Sequence, residues 1–275
     1  MKMSEIIKIK IKKIYAKLTA IFINIIRHFI GINIYPVVIY HSIGSSAEGA
    51  INEKEFRKQI EHLIKCNYSL LNISDAINCN DKAKKIATVT FDDGYLDNYE
   101  LAFQMLIDLD VKATFFITTD YISNKKNISN DFKYFKGLKN MTWKMVQELS
   151  KHGMEIGSHS KTHANLQTLN LKDLKYEIID SKKIIEDQLG IEVCSFAIPF
   201  GNKGTYSDKV LDILSEHYKA CCFTHYSTNT LPIKEWNGMK LINRIEPKPY
   251  ENIREFKAAI YGLKDGLKWI QRERR

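Results

Sequence analysis

Two hydrophobic rhythms alternate along most of this 275-residue chain. Short runs rich in β-branched and aromatic residues at 34–40, 86–91, 113–117, 154–157, 194–198, 219–223 and 241–245 predict strands. Between them, apolar positions recur every three or four residues, the period of a helix with one buried face. Phe56, Ile60, Leu63 and Ile64 mark one such helix. Leu174, Ile178, Ser181, Ile185 and Leu189 mark another, with Asn170 placed to cap its start and Gly190 to end it. Strand–helix alternation of this kind predicts an α/β fold with a mostly parallel sheet, either a barrel or open. No repeat or Pro/Gly/Ser-rich linker divides it, so residues 33–253 read as one domain. The polar, Lys- and Asn-rich stretch 123–140 predicts a long insertion loop bordering a site.

The ends follow a different pattern. Within residues 1–32, Ile11, Ile14, Tyr15, Leu18, Phe22, Ile25 and Phe29 share one helical face, while Lys12, Lys13, Lys17, Asn24 and Arg27 lie away from it. This predicts a basic amphipathic N-terminal helix. A membrane-spanning helix needs about 20 predominantly apolar residues, and Lys17, Asn24, Arg27 and His28 interrupt that length. No small-residue cleavage pattern follows, as a secretory signal would require. Such a helix either lies in a membrane interface or packs on the protein's own body. Residues 254–275 repeat the theme: Phe256, Ile260, Leu263, Leu267 and Ile270 form a stripe among Lys and Arg, predicting a basic C-terminal helix and tail.

Composition changes this picture in two respects. A 44% hydrophobic and 27% charged content excludes bulk disorder. The net charge of +9 is carried by the ends: seven basic residues against Glu5 in 1–30, and seven against three acids in 254–275. The body between them is nearly neutral. A nucleic-acid partner is therefore not expected, and an anionic membrane surface is the partner the basic ends would suit. The five cysteines are odd in number, contain no C-x-x-C pair, and place Cys221 beside Cys222. They read as buried thiols of a reducing compartment. The expected location is cytoplasmic, peripheral on the inner membrane face, with a membrane-anchored extracytoplasmic location as the alternative.

Three polar clusters each follow a predicted strand. In Thr90-Phe91-Asp92-Asp93-Gly94, two adjacent carboxylates at a buried strand end would raise each other's pKa. A metal relieves that conflict by taking one as ligand and leaving the other as a base; an ordinary Asp-Asp-Gly surface turn is the plainer reading. In Gly157-Ser158-His159-Ser160-Lys161-Thr162-His163, the two histidines converge if the intervening turn is helical, a spacing used by metal sites. Asp93, His159 and His163 together would make a two-histidine, one-carboxylate set with open positions for Zn²⁺, Co²⁺, Ni²⁺ or Fe²⁺. In Phe196-Ala197-Ile198-Pro199-Phe200-Gly201, Pro and Gly set a turn whose backbone N–H can face a ligand.

In this order, with supporting runs at 113–117 and 153–157, the motifs resemble the polysaccharide deacetylases of carbohydrate esterase family 4 over residues 35–246. The resemblance implies a distorted (β/α)7-type barrel that removes N-acetyl groups from sugars with a divalent metal, zinc foremost. It implies metal binding by Asp93, His159 and His163, and Asp92 as general base. It also implies an acetyl pocket at Pro199, Phe200 and Gly201, with the Phe200 N–H stabilising the oxyanion.

The chain departs from the family pattern in two places. Ala197 stands where the third motif often has an Arg paired with the base, and no Leu-x-x-His near the C-terminus supplies a general acid. Arg244, near the end of the last predicted strand, could pair with Asp92 from another direction, but a guanidinium cannot serve as an ordinary acid. His41 closes the first predicted strand and resembles the Tyr-His of a bacterial subgroup acting on envelope glycans; it lines the site or is a structural histidine. His225 is a weaker candidate for the donor. The expected activity is deacetylation of an N-acetylated glycan of the bacterial envelope, or of its lipid-linked precursor. The alternatives are an amidohydrolase on a non-sugar amide and a catalytically impaired glycan-binding member.

Overall fold

A computed structural model describes residues 33–81, 84–122, 135 and 137–262. The predicted N-terminal helix (1–32), most of the insertion loop, and the C-terminal segment from 263 onward lie outside the described residues. Among the described residues, no helix is long and apolar enough to cross a membrane.

The seven predicted strands are present. They are β2 (Val37–Tyr40), β4 (Ile86–Phe91), β5 (Thr114–Ile117), β6 (Glu155–Ser158), β7 (Ser195–Ala197), β8 (Ala220–Phe223) and β11 (Met239–Asn243). They pair in parallel in the order β11-β8-β7-β6-β5-β4-β2. The sheet then curls until its edges meet. The Ile39 N–H donates to the Ile245 carbonyl (2.9 Å) and the Ile245 N–H to the Val37 carbonyl (2.8 Å), closing the barrel just beyond β11.

Closure is lopsided because the first half of β11 is engaged elsewhere. It pairs antiparallel with β10 (Glu235–Trp236) across the two-residue turn Asn237-Gly238. The predicted strand 34–40 is likewise split at Pro36, which has no N–H to give a ladder. Its first part, β1 (Ile34–Tyr35), pairs instead with β9 (Asn229–Thr230).

Side-chain alternation along these strands sorts the core into two. Val37, Phe116, Ala197, Ala220, Cys222 and Ile242 point into the barrel, while Val38, Phe115, Ile117, Phe196, Cys221 and Phe223 pack outward under the helices. Burial on both faces is why the strands read as nearly continuous apolar runs. All five cysteines are free thiols.

The helix α1 (Glu53–Lys65) buries Phe56, Ile60 and Leu63 as predicted, and Asn52 caps it; Ile64 is exposed. Next comes β3 (Ser69–Leu70), which pairs with the start of β4. The short helix α2 (Ile73–Ile77) plugs the N-terminal end of the barrel. There the Glu155 carboxylate accepts hydrogen bonds from the Ser74 N–H and the hydroxyls of Ser74, Thr114 and Ser195.

The predicted helix from Asn170 to Gly190 is interrupted. α-Helical turns at Leu171–Lys175 and Ser181–Leu189 flank a π-helical turn, Tyr176–Asp180. The wider turn keeps Leu174, Ile178 and Ile185 buried while also turning Glu177 inward. Near the C-terminus, the helix Ile253–Ile260 has an Asn252/Glu255 capping box and buries Phe256 and Ile260; it is held to α1 by the Tyr261 hydroxyl, which donates to Cys66 Sγ at 3.2 Å.

One close approach inside the barrel is diagnostic. A Cβ on Gly157 would stand 2.4 Å from the Phe116 ring and 2.7 Å from Ser195 Oγ. Gly157→Ala is therefore expected to cost about 1–3 kcal/mol, and Phe116→Leu in the same chain to recover part of it. Urea denaturation of the four-member cycle measures the coupling, and simple additivity would show that the contact is not tight.

Candidate active site

The plugged end leaves the C-terminal ends of the strands open, the face on which barrels of this kind build their sites. A cavity of about 330 Å³ opens there. It is lined by His41 after β2, Asp92 and Asp93 after β4, His159 and His163 after β6, and Phe200 and Asn202 after β7. Thr224 and Tyr226 after β8, Glu246 after β11, and Phe135 from the insertion complete it.

Asp92 continues the inward face of Thr88 and Thr90, so the strand period carries it into the barrel. It is fully buried and meets Arg244, which is also fully buried and arrives from the last strand. Nη1 and Nη2 of Arg244 donate to Oδ1 and Oδ2 of Asp92 at 2.6 and 2.7 Å. Nη1 also reaches Thr90 Oγ1 (3.3 Å), and the guanidinium lies 5.3 Å from the Phe116 ring. Burial alone would push the Asp92 carboxyl up. The Arg244 charge, the neighbouring His159 and the two hydrogen bonds outweigh it and hold the group at about 2. Asp92 is thus an ionised carboxylate whose position is fixed.

Asp93 turns the other way, with φ of +74°. Its Oδ1 is buried, accepts no hydrogen bond, and lies 3.5 Å from Nε2 of both His159 and His163. One candidate ligand atom from each residue falls within 4.8 Å of the others. His159 Nδ1 faces the Ala197 carbonyl at 2.8 Å, so it carries the proton and leaves a lone pair on Nε2. Burial foremost, then the charges of His159 and His41, lower His163 to about 4 despite the nearby aspartates, so it is neutral at pH 7. A lone pair aimed at an unpartnered carboxylate oxygen is unfavourable unless a cation sits between them. The donor set therefore fits a divalent metal ion.

The turn joining the two histidines is not helical. Ser160 and His163 have φ of +63° and +59°, and the Ser160 hydroxyl accepts the His163 N–H (3.0 Å). The convergence comes from outside the motif. Glu177, delivered by the π-helical turn, accepts hydrogen bonds from the N–H groups of Lys161 and Thr162 (3.0 and 2.8 Å) and from the Thr162 hydroxyl (2.6 Å).

At the third motif, Phe200 is exposed, with φ of +64° and its ring 4.7 Å from that of His163. Pro199 is buried behind it and is not among the residues lining the cavity. Gly201 sets the turn: a Cβ there would stand 2.6 Å from the Thr224 backbone nitrogen, which its own carbonyl accepts at 3.0 Å. His41 reaches the cavity. His225 does not line it; one ring nitrogen pairs with Asn243 Oδ1 (3.0 Å) and the other with the Tyr206 hydroxyl (3.2 Å). Glu177, Tyr226 and Glu246 carry no motif signal and went unmarked in the sequence. Only the strand period, counted on from Arg244, would have placed Glu246 inward.

Removing one partner of the central pair leaves the other as an uncompensated buried charge. Arg244→Met is expected to cost about 3–5 kcal/mol in urea denaturation. Arg244→Met combined with Asp92→Asn is expected to recover most of that loss. Because the folded pKa of Asp92 lies below the unfolded value of about 3.9, its contribution is present above that pH and lost as the pH falls through about 2. An unchanged urea midpoint for Arg244→Met would refute the role given to the pair.

Comparison with known proteins agrees with this geometry. The polysaccharide deacetylase family model matches residues 80–220, just over half of the chain, and the span includes all three motifs. The chain is 27% identical over 237 residues to YxkH of Bacillus subtilis (strain 168), a protein named as a polysaccharide deacetylase, covering 83% of this chain and 77% of that one. Among solved structures, the Streptococcus pyogenes deacetylase PplD in complex with acetate superposes with a TM-score of 0.69 at 23% identity, covering 82% of this chain and 98% of that one. BC0361, a polysaccharide deacetylase from Bacillus cereus, gives 0.70 at 23% identity over 83% and 69% of the two chains. The seven-stranded barrel is therefore the fold these proteins share. With its three motifs converging at one end of that barrel, the chain belongs to the polysaccharide deacetylase family.

Proposed function

We propose that this protein is a metal-dependent hydrolase that removes N-acetyl groups from a sugar of a bacterial envelope glycan or its lipid-linked precursor. The observation that carries the reading is the meeting, in one cavity, of three facing ligand atoms and a buried carboxylate that stays ionised. Asp93, His159 and His163 would hold the ion, with zinc the first choice and Co²⁺, Ni²⁺ or Fe²⁺ suited to the same donors. Such an ion supplies Lewis acidity, polarising the acetyl carbonyl and lowering the pKa of a water molecule beside it.

The chain's own residues do the rest. Asp92 accepts a proton from the attacking water. Arg244 occupies one lone pair on each of its oxygens and leaves another on each to take that proton. The water oxygen bonds to the acetyl carbon, and the oxyanion that forms is met by the backbone N–H of Phe200 in the turn before Gly201. Pro199, buried behind Phe200, stiffens that end of the acetyl pocket. The C–N bond then breaks, and the departing nitrogen needs a proton.

Three histidines line the cavity, and two of them are ligands. His41 remains as the donor, being the histidine lining the cavity that is not a candidate ligand. The products are acetate and a free amino sugar. The buried pair at Asp92 also weighs against an impaired binder, since it restores from Arg244 the arginine–carboxylate contact that Ala197 cannot make.

With added Zn²⁺, the purified protein is expected to release acetate from N-acetylated oligosaccharides. Asp92→Asn should lower the rate by about 10²–10⁴-fold, and His159→Ala should abolish it. At a hundredfold excess over Kd, Zn²⁺ should stabilise the wild type by about 2.7 kcal/mol and leave His159→Ala unshifted in thermal denaturation. Wild-type acetate release no greater than that of the two variants would overturn the reading.

The lipid-linked alternative rests on the basic face predicted from the sequence of residues 1–32, where each Lys or Arg near an anionic surface contributes about 1 kcal/mol. Full-length protein is expected to co-sediment with anionic vesicles at low salt, and protein lacking residues 1–32 to stay in solution. Equal co-sedimentation of the two would remove the membrane from the proposal.

A further inference from the structure

One side of the cavity beside His41 is built from residues beyond the family match. Glu246 Oε1 lies 3.6 Å from His41 Nδ1, an ion-pair separation. Its Oε2 accepts hydrogen bonds from the Tyr226 hydroxyl and from Lys248 Nζ, and Lys248 Nζ also donates to the Tyr226 oxygen (2.9 Å). Burial alone would push the Glu246 carboxyl up. The charges of His41 and Lys248 and the two hydrogen bonds more than offset it, and the carboxyl stays below its usual range.

This placement follows from how the barrel closes. Ile245 exchanges hydrogen bonds with Val37 and Ile39, which locks the register of the chain after β11 against β2. With side chains alternating along each strand, Arg244 and Glu246 then share the inward face, and Glu246 stands beside His41. The other sides of His41 are held too. Its carbonyl accepts a hydrogen bond from Asn98 Nδ2 (2.7 Å), and its ring stacks on Phe135 with centroids 5.3 Å apart.

We propose that Glu246 is a positioning residue for His41: it holds the imidazole by Nδ1, so that Nε2 is the nitrogen presented to the departing amine, and Tyr226 and Lys248 hold Glu246 in turn. The proposal rests on the deacetylase reading above, in which His41 gives its proton to the nitrogen as the C–N bond breaks. A carboxylate on the remote ring nitrogen fixes the ring's orientation and stabilises its cation without itself taking the proton, a role known in other hydrolytic sites. At 3.6 Å the two groups are in ion-pair contact, and a small movement of either side chain brings them within hydrogen-bond range. Besides Glu246, the charged and titratable groups sharing the cavity with His41 are Asp92, Asp93, His159, His163 and Tyr226.

The test separates proton donation from simple scaffolding by varying the leaving group. An amide nitrogen must be protonated to depart, whereas the phenolate of 4-nitrophenyl acetate leaves without a proton. With the Zn²⁺-loaded full chain, Glu246→Gln is expected to lower kcat for an N-acetylated oligosaccharide by about 10- to 100-fold, within what a general acid contributes, and to leave KM nearly unchanged. Its kcat for the ester should fall at least tenfold less. Glu246→Asp should recover part of the amide rate, and His41→Ala should repeat the amide-selective loss. Asp92→Asn should lower both substrates together.

Equal losses on amide and ester for a folded Glu246→Gln would overturn the proposal, as would a wild-type amide rate in that variant. A wild type that cleaves the ester and no N-acetylated glycan would sink the deacetylase reading, and this proposal with it.

Discussion

The bidentate contact between Arg244 and Asp92 is the interaction on which the rest of the site depends. Two charges buried inside a barrel cost several kcal/mol each in lost hydration, and only close, doubly hydrogen-bonded geometry offsets that. The barrel interior is shaped to allow it. Phe116 lies under the guanidinium, Gly157 leaves room for the Phe116 ring, and the neighbouring inward positions Ala197 and Cys222 are small. With Asp92 held as a carboxylate, Asp93 is free to turn away toward the histidines. The two adjacent acids thereby take different environments: one is neutralised by an arginine, the other is left facing two imidazole nitrogens.

The same division runs through the supporting shell. Strand ends supply the polar side chains of the cavity, and elements distant in sequence hold them. Glu177 gathers the backbone of the loop between His159 and His163. The bonds around Ile245 hold Arg244 and Glu246 in register with β2. A π-helical turn in the middle of a helix looks like an irregularity, yet it is what delivers Glu177 while the apolar face on either side stays buried. Local strain at Asp93, Ser160, His163 and Phe200, all with positive φ, clusters on this one face.

The two strongest signals in the sequence were rhythm and order. Seven β-branched runs separated by helical spacing were enough for a parallel α/β fold, and three polar clusters at strand ends were enough to expect a shared site. The expectation that Arg244 pairs with Asp92 came from the family resemblance, which implies an arginine on the base that Ala197 cannot supply. The helical turn expected between His159 and His163 is instead an irregular loop, because side-chain spacing says nothing about which backbone conformation closes it. The break at Pro36 and the Asn237-Gly238 hairpin had local signals that the strand pattern overrode. Tyr226, Glu177 and Glu246 had none, being ordinary polar residues whose neighbours lie far along the chain.

What the sequence determined by itself, then, was which side chains are candidates for chemistry and which elements carry them, because periodicity and turn residues act over a few positions. Which of those side chains would meet was decided only by the closed barrel. Arg244 and Asp92 are 152 residues apart, and Glu246 and His41 farther still. Their contact depends on strand order, register and closure, and those are set by the packing of the whole sheet rather than by any segment of it. Those contacts then decided charge states, since Arg244 beside Asp92, and His41, Lys248 and Tyr226 beside Glu246, hold carboxyls down that burial alone would push up.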